Sequence, residues 1–338
     1  MFLSIIYLIV GLGLILAGAN FLTDGSASVA RRFGISDLVV GLTVVAFGTS
    51  TPELAISVVA SAQGTAGLAV GNVVGSNIFN ILAIIGVTAA MRPVRIDKNV
   101  LTTQIPLVIL SSLLLVVMAN GMALDGASEN IISRVDGIIL LIFFLLFMRE
   151  TLMQAKVQPE VPGASEASQV QTAAGSDTPV QTAQKELPVW RAVLYIVGGL
   201  AALIFGGDGF VKGASAIASS MGVSDAVIGL TIVAVGTSLP ELAASVVAAL
   251  KGKTDLAVGN VIGSNVFNIF LVLGTAAVVR PLSLAGVSDV DLFTLMGASL
   301  LFWIFGWLIG NRRITRGEGI VMVALYAAYM SWIVISNT

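Results

Sequence analysis

Among its 338 residues the chain has no cysteine and no histidine. Without cysteine it can form no disulfide, iron–sulfur cluster or thiolate metal site, and without histidine it lacks the commonest transition-metal ligand and the usual neutral-pH base. Any metal bound here must be a hard ion held by oxygen. Charge is scarce as well. Charged residues make up 11% of the chain, against roughly 25% in soluble domains, and no basic tract is present to engage nucleic acid. The formal net charge of -2 says little, because in a membrane chain the location of charges matters more than their sum. The N-terminal stretch MFLSIIYLIVGLGLILAGANFLTDG has no basic residue before its apolar run, so it reads as an uncleaved first span rather than a secretory signal. Nothing resembles a transit peptide or a lipidation site.

What is abundant is apolar surface: 57% of residues are hydrophobic, and the mean hydropathy is +0.99. The chain is an integral membrane protein, better counted in spans of about 20 residues than in soluble domains. Apolar runs of bilayer length predict ten spans, at 2–24, 35–61, 68–90, 101–119, 131–149, 190–211, 223–249, 256–279, 290–310 and 318–335. Between the fifth and sixth, KVQPEVPGASEASQVQTAAGSDTPVQTAQKEL is rich in Gln, Ser, Thr, Ala and Pro with almost nothing to bury. It is expected to be a flexible linker.

The two halves repeat each other. A shift of 188 residues lays GLTVVAFGTSTPELAISVVA over GLTIVAVGTSLPELAASVVA and AVGNVVGSNIFNI over AVGNVIGSNVFNI, and about 30 of the 46 pairs from Gly41 to Gly86 are identical. The register extends from Gly34-Ile35-Ser36-Asp37 to Arg92-Pro93. This is a duplication. Five spans is an odd number, so the second copy must enter the membrane from the opposite side. The expected fold is therefore an all-α membrane protein with ten transmembrane helices in two inverted-topology five-helix repeats. The first repeat is 1–149, the linker 150–189 and the second repeat 190–338. With the linker cytoplasmic and both termini outside, 14 of the 17 lysines and arginines fall on the cytoplasmic side, the exceptions being Arg134, Lys212 and Arg280. Gln63 and Thr65 then lie in an outer loop, and their counterparts Lys251 and Lys253 in an inner one.

Within this frame, GTSTPEL at 48–54 and GTSLPEL at 236–242 put a glutamate beside a proline in the middle of an apolar run. Proline removes a backbone donor and clashes with the carbonyl four residues back, so Pro52 and Pro240 are expected to break their helices near Gly48 and Gly236. Broken helix is tolerated in a bilayer only where protein or a watery cavity surrounds it. Ser50 and Ser238 are expected to cap the resuming half-helices. Freed carbonyls, the hydroxyls of Thr49, Ser50, Thr237 and Ser238, and the carboxylates of Glu53 and Glu241 would then share one depth. The second repeated block supplies partners. Asn72, Ser76 and Asn80 lie along one helical face, as do Asn260, Ser264 and Asn268. Gly71 with Gly75, and Gly259 with Gly263, are small-xxx-small pairs that let helix backbones approach.

Two carboxylates among amides, hydroxyls and carbonyls suit calcium, which takes 6–8 oxygens, and several sodium ions would fit the same oxygens. A glutamate at mid-membrane costs at least ~3 kcal/mol, so two without basic partners make little sense unless cations neutralise them; the plainer reading is a buried protonated acid bonded to a neighbouring helix. Other polar residues have plainer roles. Asn77 and Asn265 suit interhelical hydrogen bonding, while Asp24, Asp208 and Lys212 suit span ends at the interface. Trp190 and Trp332 read as interfacial anchors, and Trp303 and Trp307 as packing or lipid-facing residues. GLGLILAG and GNVVGSN lack the lysine and strand context of a nucleotide loop.

The paired G-T-S-x-P-E and G-S-N-x-x-N blocks resemble the two α-repeats of the cation/calcium antiporter superfamily, most nearly its prokaryotic sodium/calcium exchangers. The resemblance covers the chain outside 150–188. It implies that Glu53 and Glu241 are the calcium-binding carboxylates. It also implies that Thr49, Ser50, Ser76, Thr237, Ser238 and Ser264, with the carbonyls of Ala46 and Ala234, form the sodium and calcium sites, with Asn80 and Asn268 in the middle positions. Asn268 stands where part of the family has aspartate, which speaks against the potassium-dependent branch. Family members swing the first and sixth spans past a fixed core, so Gly11, Gly13, Gly18, Gly206, Gly207 and Gly209 are expected to ease that sliding.

The expected function is a secondary antiporter of the prokaryotic plasma (inner) membrane, in which sodium entry drives calcium out by alternating access. The rival within transport is calcium/proton exchange, followed by a cation channel; an intramembrane hydrolase would need a nucleophile–base pair that is missing. No enzymatic activity and no cofactor beyond the transported Ca2+ and Na+ are expected. The chain is expected to work as a monomer in the bilayer.

Overall fold

The computed structural model describes residues 2–126, 129–156, 187–221, 234–284, 286–309 and 311–336. The principal helices are α1 (Phe2–Phe33), α2 (Asp37–Thr49), α3 (Thr51–Gln63), α4 (Ala66–Met91), α5 (Val100–Ala119) and α6 (Arg134–Lys156), then α7 (Val189–Ser220), α8 (Leu239–Leu250), α9 (Thr254–Val279), α10 (Asp289–Ile309) and α11 (Arg316–Ser336). Most of the expected linker, 157–186, lies outside the described residues, as does 222–233 of the expected seventh span. Among the described residues seven helices are long and apolar enough to cross a membrane, and α2 with α3, bent by 46° to each other, make an eighth.

Three boundaries differ from expectation, one of them the end of α7, which runs to Ser220 rather than 211. Helix α1 runs to Phe33 rather than 24, because the small and polar residues after Asp24 are buried against protein and Arg31 and Arg32 sit favourably at the negative end of the helix dipole. It stops where Gly34 takes a left-handed φ of 63°. Helix α6 continues past 149 to Lys156. Its last turns are made of good helix formers, and Gln154 Nε2 donates to Glu150 Oε1 one turn back at 3.2 Å.

Helices α4 and α9 form the core. In the most apolar stretch of each, 83% of the residues are buried, against 22% in α1 and α7 and 11% in α11. The peripheral pair α1 and α7, equivalent under the 188-residue shift, pack against each other in antiparallel sense. A methyl group at Gly11 would lie 2.5 Å from Phe210 N, at Gly18 2.7 Å from Gly199 O, and at Gly25 2.8 Å from Ala192 O. Positions rising along α1 therefore meet positions falling along α7. From the other side, Gly199, Gly206 and Gly213 abut the backbones of Leu22, Gly11 and Ser4. The contact glycines recur every seventh residue on both helices, a narrow seam along which backbones touch. Of the glycines expected to ease sliding, Gly13 faces open space and Gly209 only skirts the seam. Gly207 instead approaches Gly236 and Pro240.

Short strands tie the ends of the bundle. β1 (Val94–Arg95) pairs antiparallel with β4 (Arg313–Ile314), and β2 (Ile131–Ile132) with β3 (Leu282–Ser283). Arg92 donates to the carbonyls of Ala249 and Leu250 at 3.3 and 3.1 Å, while the guanidinium of its counterpart Arg280 lies against Gly64. Lys251 pairs with Asp24 at 2.7 Å and Lys253 with Asp37 at 2.8 Å. Asp208 and Lys212 form an exposed pair on α7 at 2.7 Å. The Lys251 and Lys253 pairs are partly solvated, so each of these two contributes at most about 1 kcal/mol. Trp303 Nε1 donates to Leu101 O at 3.1 Å, and its ring stacks on Trp307.

Candidate ion-binding site

The α2–α3 break is the first component of the site. Ser50 N donates to Ala46 O at 2.9 Å, closing the last turn of α2, and Leu54 N to Ser50 O at 3.1 Å, opening α3. Between them Pro52 has no N–H to offer Gly48 O, and the chain turns. Ser238 and Pro240 stand likewise at the start of α8, but Ser238 N bonds to Val235 O at 3.1 Å rather than to Ala234 O. Glu53 and Glu241 are in the first turn of their half-helices, where the helix dipole favours negative charge.

Neither serine side chain caps its own helix, contrary to expectation. The backbone of Ser50 (φ -84°, ψ 6°) and of Ser238 (φ -93°, ψ 9°) stays close to helical. A capping side chain needs an extended backbone to reach back to the first free amides. The hydroxyls cross to the other half instead: Ser50 Oγ donates to Glu241 Oε1 at 3.2 Å, and Ser238 Oγ to Glu53 Oε1 at 3.3 Å. Each glutamate is thus held by the serine that precedes its opposite number.

The asparagine stripes complete the arrangement. Asn72 Nδ2 reaches Ser57 Oγ at 3.0 Å and Glu53 O at 3.4 Å, and Asn260 Nδ2 reaches Ser245 Oγ at 2.9 Å and Glu241 O at 3.3 Å. These bonds fasten each broken helix to the long helix that follows it. Thr49 Oγ1 has acceptors at Asn260 Oδ1 and Val45 O, both at 3.1 Å, and its lone pairs stay available. Thr237 lines a groove of about 720 Å3 with Asn72, Ser76, Asp291 and Tyr329, so the site opens toward the surface beside α4. Asn80 and Asn268 fall in matching π-helical stretches, Phe79–Ile85 and Phe267–Leu273. Such widened turns recur at functional sites.

Glu53, Ser76, Asn80, Glu241, Ser264 and Asn268 are all almost completely buried. Glu53 Oε2, Ser76 Oγ, Asn80 Oδ1 and their repeat mates Glu241 Oε2, Ser264 Oγ and Asn268 Oδ1 have no hydrogen-bond partner among the described residues. Buried polar atoms are rarely left so, and two symmetric triplets of oxygen lone pairs suit a cation. Six oxygens with two carboxylates meet the lower end of calcium's coordination number and balance its charge. Among the described residues no group of three acidic side chains is placed to hold a metal ion, and Glu53 and Glu241 are the two carboxylates described at the site.

The long helices do not contribute equally. Gly259 and Gly263 pack against the backbone of α2 at Leu38 and Leu42, whereas no described residue comes within 3.8 Å of a methyl placed at Gly71 or Gly75. The repeat mate of α2 falls mostly in 222–233, outside the described residues. Residues whose part was not anticipated are Ser57 and Ser245, the anchors of Asn72 and Asn260. Their repetition at the 188-residue offset was the signal available.

A family model described as "Sodium/calcium exchanger protein" matches residues 3–151 and 191–335. The sodium/calcium exchanger MaX1 of Methanosarcina acetivorans is 33% identical over 349 residues, 97% of this chain and 97% of that protein. The inner membrane protein YrbG of Escherichia coli is 35% identical over 346 residues, 98% of this chain and 96% of that one. Among solved structures, the sodium-calcium exchanger NCX_Mj soaked with 10 mM Na+ and no Ca2+ superposes with a TM-score of 0.80 at 31% identity, covering 98% of both chains.

Proposed function

The chain belongs to the sodium/calcium exchanger protein family, and from that premise we propose that it is a secondary antiporter moving calcium out of the cell against sodium entry. The observation that carries the reading is the pair of symmetric oxygen triplets, from Glu53, Ser76 and Asn80 and from Glu241, Ser264 and Asn268, buried and without partners among the described residues. The hydroxyls of Thr49, Ser50, Thr237 and Ser238 and the carbonyls of Ala46 and Ala234 lie beside them in the same broken segments and complete the cation sites.

We read the architecture as ten spans in two inverted repeats, 1–149 and 190–338, joined through a cytoplasmic linker at 150–189 with both termini outside. The antiparallel packing of the equivalent helices α1 and α7 supports the inversion. The end-to-end ties support it too, since each joins segments that this topology assigns to one side: β1 with β4, β2 with β3, Arg92 with Ala249 and Lys253 with Asp37. In such a protein the site lies at the pseudo-two-fold interface near mid-membrane and is exposed alternately to each side. A monomer contains the whole site.

Calcium flux into sealed everted vesicles, with sodium, potassium and proton gradients imposed separately, tests the reading. Uptake driven by an outward sodium gradient is expected; uptake that follows pH and ignores sodium would make the chain a calcium/proton exchanger. That rival has one specific point in its favour, namely two buried glutamates without basic partners, which would carry protons equally well. Ser50→Ala and Ser238→Ala should each raise the calcium KM about tenfold, since each removes a hydrogen bond to a charged group, of about 1.5–3 kcal/mol. The two effects should be similar, because the bonds are mirror images.

A further inference from the structure

Asn77 is outside the ligand set, yet its side chain is fully buried where the two halves meet. Its Nδ2 donates to the backbone carbonyl of Asn265 at 3.2 Å, and its Oδ1 accepts from Asn268 Nδ2 at 3.0 Å. A backbone carbonyl can only accept, so it compels Asn77 to turn its nitrogen that way and its oxygen the other. That oxygen in turn takes only the nitrogen of Asn268. The remaining atom, Asn268 Oδ1, is one of the six site oxygens that have no partner among the described residues. An amide without such restraint has two orientations related by a half-turn, and one of them would aim an NH2 group at the cation.

We propose that Asn77 is a positioning residue for cation binding: anchored on the Asn265 carbonyl, it locks the Asn268 amide with its oxygen toward the transported ion. The proposal rests on the reading of Asn268 as a cation ligand. In the mirror arm Asn80 Nδ2 reaches Asn265 Oδ1 at 3.4 Å, a longer bond and a weaker restraint.

The test is a double-mutant cycle on the full chain, reading calcium KM and kcat in vesicles and equilibrium calcium binding on purified protein. Asn77→Ala is expected to raise KM by about tenfold or more, the usual cost of losing a group that orients a metal ligand. A carboxylate has an oxygen at either end and needs no orienting. In the Asn268→Asp background, therefore, adding Asn77→Ala should leave KM where Asn268→Asp alone puts it. An unchanged KM for Asn77→Ala alone would overturn the proposal. So would the same factor in both backgrounds, or loss of folded protein in both, since a merely structural role predicts these. A folded Asn268→Asp protein that neither transports nor binds calcium would remove the underlying reading of Asn268 instead.

Discussion

Replacing Glu53 or Glu241 with glutamine is expected to abolish calcium uptake while leaving the protein folded. Glutamine has the shape of glutamate and keeps an oxygen that accepts from Ser238 or Ser50, so the crossed serine bonds survive. What it removes is one of the two negative charges that the described residues offer a divalent ion in this buried site. Breaking a buried ion pair from one side costs about 3–5 kcal/mol, a factor of roughly a hundred or more in affinity. The two variants should be equally impaired, because the carboxylates are repeat mates. Thermal unfolding supplies an independent readout. A ligand that binds only the folded state stabilises it by about 2.7 kcal/mol at a hundred times its Kd. Calcium should therefore raise the Tm of the parent and have little effect on either variant. With cations chelated, the variants should melt no lower than the parent, which then holds two uncompensated buried carboxylates. Normal transport by both variants would mean that the cation is bound elsewhere.

Much of the architecture was legible because the duplication is close. With 188 as the offset, one half can be read against the other, and the five spans expected per copy, an odd number, lead to equivalent helices running in opposite senses. The antiparallel seam of α1 and α7 agrees with this. Element ends were less legible. Hydropathy marks where lipid-facing surface ends, but α1 and α6 continue beyond it, stabilised by burial of small residues and by local helix propensity rather than by the bilayer.

At the site, residue types and spacing indicated oxygen chemistry at one depth, because proline, serine and glutamate each have strong local consequences. The pairing pattern was not legible. A serine two positions before a proline reads as a cap, and only the backbone angles of Ser50 and Ser238 show that the hydroxyls are directed to the opposite half. Asn77, expected to hydrogen-bond between helices, does so to the carbonyl of Asn265, while Asn80, three positions on where the helix widens into a π-helical stretch, keeps an oxygen with no partner among the described residues. The seven-residue glycine seam was legible in principle: Gly11, Gly18 and Gly25 on one helix and Gly199, Gly206 and Gly213 on the other repeat at one interval. The glycines expected to ease sliding included Gly13, Gly207 and Gly209, which are not seam contacts, and did not include Gly25, Gly199 and Gly213, which are.

That seam makes the second large prediction. Gly18→Ala and Gly206→Ala are expected to destabilise the protein severely, with falling Tm, poor recovery from the membrane and loss of calcium flux. Gly13→Ala should be harmless. Inside a helix, alanine is ordinarily better than glycine by about 0.5–1 kcal/mol, so propensity alone predicts all three to be stabilising. Packing reverses the sign at two of them. The added methyl at position 18 would lie 2.7 Å from the carbonyl oxygen of Gly199, and at position 206 it would lie 2.9 Å from that of Gly11. The obstruction is backbone, which cannot turn aside as a side chain can. Relief requires α1 and α7 to separate along their length, which breaks the neighbouring close contacts at Gly11, Gly25, Gly199 and Gly213 as well. Overpacking at one site costs about 1–3 kcal/mol, and a seam that opens as a unit should exceed that range. At position 13 no atom of a described residue lies within 4 Å of the added methyl, so the propensity gain should be retained. Melting curves of the three variants in detergent check the prediction directly. If Gly18→Ala and Gly206→Ala melt with Gly13→Ala, the two helices are not held backbone to backbone.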